Sequence, residues 1–147
     1  MEMSNKAYQN LADRLAPKSN TPLNCVKAFV IGGSICALGQ ALKNLYLYLG
    51  AGEEAAGLLC SVTLIFLSAL LTGLGLYDDL AKHGGAGTLV PITGFANAVA
   101  APAIEFKTEG WVTGLAVKMF TIAGPVIVYG TLAAVAYGAI YWIVGLL

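Results

Sequence analysis

Lys118 is the residue whose type and surroundings most demand a chemical explanation. It stands between the apolar run Trp111 to Val117 and 29 residues without a charge, Met119 to Leu147. An ammonium there is costly unless it meets water, a partner or an anion, so Lys118 either binds an anion or snorkels its head to the interface along its methylene stem. Asn97, Thr88 and Thr93 add neutral hydrogen-bonding groups inside a second uncharged stretch, Gly84 to Ile104, which Gly87, Pro91 and Gly94 interrupt. Where a helix restarts after such an interruption, its free backbone N–H groups favour a carboxylate or phosphate. Together with Lys118 these residues form a candidate site for a small anion. Asn97 has a second possible use, as a hydrogen-bonded tie between helices, typically worth about 1 kcal/mol or less in membranes.

Catalytic chemistry finds little to work with. Gly85-Ala86-Gly87 lacks the third glycine of a dinucleotide loop, no strand precedes it, and no lysine follows as in a phosphate loop. Tyr77-Asp78 matches half of an intramembrane aspartyl protease site, but no second aspartate lies in an apolar helix. His83, the one histidine, sits beside Lys82 and a glycine loop, which suits an exposed linker better than a general base. No metal quartet can be assembled, and no cofactor is implied. Cys25, Cys36 and Cys60 make no CxxC pair and read as small packing residues.

The elements that must position these groups are membrane helices. Of 147 residues, 58% are hydrophobic and 11% charged, against roughly 25% charged in an ordinary soluble domain. Eight basic residues balance eight acidic ones, so no basic field exists to hold nucleic acid. The polar tail, residues 1–23, carries Lys6, Arg14 and Lys18, lacks the pattern of a cleaved secretory signal, and leads into a single helical membrane domain over 24–147. Lys27 to Tyr48 reads as a first span, in which Lys43 snorkels, and Ala55 to Tyr77 as a second. The latter has 23 uncharged residues, or about 35 Å of helix for a hydrocarbon core of about 30 Å. Basic residues in the tail and none in the Gly50 to Glu54 turn place the N-terminus in the cytoplasm, and Lys82 agrees.

The third stretch cannot be a smooth helix. Pro91 removes a backbone donor and disfavours helix before it, so irregular backbone is expected between Gly87 and Gly94. At membrane depth such backbone is tolerated only where protein buries it or a water-filled cavity runs beside it. Gly124-Pro125 is expected to break the last stretch likewise, leaving about 22 residues after the proline as a span of roughly 33 Å. The layout is all-α: three full spans, with Gly84 to Ala123 as a broken membrane-embedded hairpin, or alternatively four spans. Paired interruptions at Pro91 and Gly124-Pro125 are a pointer to a substrate site of the transporter kind. Gly130, Ala134 and Gly138, four apart, share one helix face and form a candidate assembly surface, as Gly33 and Ala37 do less fully.

Two segments carry a family resemblance. The run GAGTLVPITGFANAVAAPAIEFKTEG, Gly85 to Gly110, followed by KMFTIAGPVIVYG, Lys118 to Gly130, closely resembles the stage V sporulation protein A family of endospore-forming bacteria. The polar tail, the segment TPLNCVKAFVIGG and the length are similar to one branch of it, distinct from the shorter AE-type relative with the same core. The resemblance implies a membrane subunit of the complex that moves dipicolinate, usually with calcium, across the inner forespore membrane during sporulation and germination. It also implies a mechanosensitive channel activity, and partners in the AE-type membrane subunit and a soluble thiolase-like AD subunit. Gly87 to Asn97 and Trp111 to Pro125 are then expected to line or gate the passage. The alternative is a non-conducting membrane scaffold that docks the soluble partner.

Overall fold

The computed structural model describes residues 19–146 together with Lys6, Tyr8, Gln9, Leu11 and Leu15, which are helical; the rest of the expected polar tail lies outside the described residues. The described residues contain helices and turns and no strand. Helix α1, Thr21–Tyr48, carries Pro22 in its first turn, where a missing N–H costs nothing. A tight turn at Gly50 and Gly52 returns the chain as α2, Glu53–Gly73, whose first-turn Glu53 and Glu54 face the positive end of the helix dipole. The two form an antiparallel hairpin, tied by Tyr46 Oη to Thr63 Oγ1 at 2.7 Å and by Cys60 Sγ donating to Gly39 O at 3.2 Å. Cys25 and Cys36, expected as packing residues, are instead exposed on α1.

The second span stops earlier than its composition indicates. Gly75 adopts φ 73°, a left-handed conformation that glycine takes without steric cost, and ends α2 at Gly73. Tyr77 therefore belongs to the next helix, α3, Leu76–Gly84, and the first span starts at Thr21 rather than Lys27. Gly85, at φ 48°, turns the chain into the single turn α4, Ala86–Leu89. Pro91 is extended, with ψ 163°, and α5, Ile92–Glu105, restarts after it. The irregular backbone thus falls at Val90 and Pro91, within the expected Gly87 to Gly94 interval.

The contacts of α5 decide the topology. Thr93 lies beside Ser68 and Asn97 beside Thr72, so α5 runs parallel to the last turns of α2. Its end, at Ile104 and Glu105, shares a cleft with Thr72 and Asp78. The segment α3 to α5 therefore leaves and returns at the same end of the α1–α2 hairpin. With 14 residues, α5 is about 21 Å long and too short to cross. This is a re-entrant hairpin, and the four-span alternative does not hold.

The last span corrects a second expectation. After a π-helical turn, Trp111–Ala116, helix α6 runs unbroken from Val117–Gly145 with Pro125 inside it. Proline's fixed φ near −65° is helical, so it removes one hydrogen bond without forcing the chain to turn. Trp111 to Ala123 is consequently part of the third span and not of the hairpin. Three helices, Thr21–Tyr48, Glu53–Gly73 and Trp111–Gly145, are long and apolar enough to cross a membrane. Met119 packs against α2 and α5 in an apolar groove with Ile65, Ala69, Phe95 and Val99. From Pro125 to Gly145 every residue of α6 is exposed.

Candidate functional site

The residues that break the third stretch converge at the tip of the re-entrant hairpin. Tyr77, 3% exposed, reaches from α3 to both sides of the break. Its hydroxyl donates to Thr88 O at 2.9 Å and lies 3.1 Å from Thr93 Oγ1. A phenol has one proton, so with the carbonyl taking it the Thr93 hydroxyl completes the pair as donor. From α2, Ser68 Oγ donates to Thr93 O at 2.6 Å, which clamps that residue from the opposite side. Thr72 Oγ1 donates to Ser68 O at 2.7 Å and sits 2.8 Å from the Asn97 side-chain amide. Thr88 Oγ1 donates to Gly85 O at 2.9 Å and closes the turn. Among the described residues no buried side-chain nitrogen or oxygen lacks a partner.

Two glycines make this approach possible. A Cβ on Gly87 would stand 2.1 Å from Ala28 O, and one on Gly94 would stand 2.3 Å from Leu89 O. The tip therefore rests on the backbone of α1 and folds onto itself with no space for a methyl group. Gly32, opposite Gly87, supplies the small surface on α1. It stands one position before Gly33, which faces open space.

Gly87, Thr88, Pro91, Thr93, Gly94 and Asn97 are thus brought together, and Asn97 makes an interhelical tie to α2. Lys118 is not among them. Its Nζ lies 3.9 Å from the centre of the Phe106 ring, a cation–π contact at the far end of α5. Phe106 stands thirteen positions after Thr93, about 20 Å of helix. Gly124 and Pro125 sit on α6, and Gly130, Ala134 and Gly138 lie on its exposed part, where a Cβ on either glycine would meet nothing within 4 Å.

Ser68, Thr72 and Tyr77 complete the site without standing out in the sequence. Ser68 and Thr72 are four apart and share a face of α2, a spacing that singles them out once a partner helix is known. Two clefts open beside the tip at the returning end of the hairpin. One, of about 310 Å³, is lined by Thr72, Asp78, Asn97, Ala101, Ile104 and Glu105. The other, of about 360 Å³, brings Lys82 and His83 to Ser19, Thr21 and Asn24 at the start of α1. Lys82 pairs with Asp78 at 2.8 Å and Asp79 at 3.1 Å, and those hydrogen bonds hold its ammonium above the usual lysine range.

The chain matches the SpoVAC/SpoVAEB sporulation membrane protein family over residues 24–140. It is 48% identical over 134 residues to stage V sporulation protein AC of Bacillus subtilis (strain 168), covering 90% of this chain and 89% of that protein. No solved structure matches it.

Proposed function

Because this chain belongs to the SpoVAC/SpoVAEB sporulation membrane protein family, we propose that it is a membrane subunit of the conduit that carries dipicolinate, with calcium, across the inner spore membrane. The conduit works during sporulation and germination, responds to membrane tension, and assembles with the AE-type membrane subunit and the soluble thiolase-like AD subunit. The observation that carries this reading is the re-entrant hairpin, which places irregular backbone and six polar side chains inside a bundle whose outer surface is apolar. Such backbone belongs where protein or a water-filled path surrounds it. The start of α5 adds the backbone N–H groups of Ile92 and Thr93 with partial positive charge, a suitable meeting point for a carboxylate, while the Gly94 N–H bonds to Pro91 O at 2.9 Å.

The cleft leading to Asn97 is flanked by Asp78 and Glu105. Two carboxylates oppose a bare dianion and favour its calcium chelate, which supports calcium sharing the path. Lys82 on α3, beside the start of α1, and Lys107, just after the end of α5, fall on the end where α1 begins, while the Gly50 turn carries only Glu53 and Glu54. This distribution supports a cytoplasmic N-terminus. Three spans enclose little space, so the passage is completed between subunits, with Gly130, Ala134 and Gly138 on the bare part of α6 as the contact face.

Dipicolinate release from loaded liposomes tests the reading, with this protein alone and then with the AE-type subunit. The expected result is release that Asn97→Leu changes several-fold while the complex stays intact, and that Lys118→Ala changes less, since Lys118 lies away from the tip. Absence of release from correctly inserted protein in both preparations would favour the non-conducting scaffold.

A further inference from the structure

We propose that the Tyr77 hydroxyl is a latch that holds the tip of the re-entrant hairpin shut; this rests on the conduit reading and names its gate. Tyr77 joins the two arms of the tip, since Thr88 O precedes the Val90–Pro91 break and Thr93 Oγ1 follows it. While it is in place the arms cannot separate. Every buried side-chain polar group at the tip is then satisfied within the protein, and none of these is left to meet a solute. Gly87 meets α1 at Ala28 and Gly32, a flat backbone surface that can part without moving a side chain. Directional hydrogen bonds are therefore the specific restraint on the closed state.

Helix α3 is built to work this latch. It is nine residues long and begins and ends at glycines with positive φ, Gly75 at 73° and Gly85 at 48°. Tyr77 is its buried side chain, whereas Asp78, Asp79 and Lys82 form an exposed charged face at the end of the bundle. A force on that face, from the membrane surface or a docked partner, tilts α3 about its two hinges and withdraws the phenol from between Thr88 and Thr93. Coupling of this kind needs a two-state element that both inputs bias.

The test uses the full chain in lipid vesicles and compares wild type with Tyr77→Phe, which keeps the ring and removes the hydroxyl. Loss of one buried hydrogen bond corresponds to a roughly 5- to 10-fold shift toward the open tip. Amide hydrogen exchange over residues 86–97 should rise by that factor, and dipicolinate release without applied tension should rise with it. Tyr46→Phe, which removes the α1–α2 bond to Thr63, should leave both unchanged. Unaltered exchange over 86–97 in Tyr77→Phe would overturn the latch. Faster exchange with no release in any preparation would support the latch and overturn the conduit. If Tyr77→Phe does not insert, Thr93→Val removes the same contact from its other partner and is judged by the same two readings.

Discussion

At the scale of single residues, glycine decides how closely the hairpin tip approaches α1. Gly87 has no room for a Cβ, which would stand 2.1 Å from the carbonyl oxygen of Ala28. Backbone cannot yield as a flexible side chain can, so Gly87→Ala must push α4 away from α1. The expected cost is about 1–3 kcal/mol, the range for overpacking a tight contact. Gly33→Ala is the matched comparison, because nothing lies within 4 Å of its Cβ position and the helix gains up to about 1 kcal/mol in propensity. Thermal unfolding in detergent should therefore order the three proteins as Gly87→Ala, wild type, Gly33→Ala, from least to most stable. Equal melting of Gly87→Ala and wild type would mean that α4 does not rest on Ala28. The need for small residues at the break was legible from Gly87, Pro91 and Gly94 themselves. The partner was not, because the spacing of Gly33 and Ala37 is no different in kind from that of Gly32, and only the fold selects which glycine meets the tip.

At the scale of elements, proline marks one break and is absorbed at another. Pro91 follows a one-turn helix whose C-cap, Val90, is still helical at φ −71° and ψ −41°; the break falls at Pro91 itself, which is extended at ψ 163° with only a single turn behind it. Pro125 instead has eight helical residues before it within α6, enough turns to hold its neighbours in place while one hydrogen bond is missing. The two positions look alike in sequence because both remove a donor from an apolar run; they differ in the helix already formed on the N-terminal side. Pro125→Ala restores an N–H that can pair with Thr121 O in an unbroken helix. Its expected effect is unchanged helix content by circular dichroism and stabilisation of at most about 3 kcal/mol. A gain in helical signal would instead mean that α6 is interrupted at Gly124 in the membrane. Tyr77 shows the complementary limit of pattern reading. It closes an uncharged run of 23 residues and so reads as the end of a span, whereas the left-handed turn at Gly75 moves it into α3 and aims it at the tip.

At the scale of the whole molecule, the number of crossings follows from where the hairpin returns. With α1, α2 and α6 crossing and α3 to α5 re-entering, the described residues cross three times, and Thr21 and Gly145 lie on opposite sides. The interhelical bonds from Ser68 to Thr93 and from Thr72 to Asn97 require α5 to leave beside the end of α2. His83 and Thr108 must then share a side, while Gly52 and Leu146 share the other. Single cysteines at these four positions, in a chain whose Cys25, Cys36 and Cys60 have been replaced, can be labelled in sealed vesicles with a membrane-impermeant maleimide. The expected pattern pairs His83→Cys with Thr108→Cys and pairs Gly52→Cys with Leu146→Cys. Thr108→Cys labelling together with Gly52→Cys would mean that the Gly84 to Ile104 stretch crosses the bilayer. The tip would then lose its place between α1 and α2, because a crossing segment cannot keep Thr93 at Ser68 and also return its end to Asp78. The same experiment therefore tests both the crossing number and the enclosure of the polar tip, on which a gated passage depends.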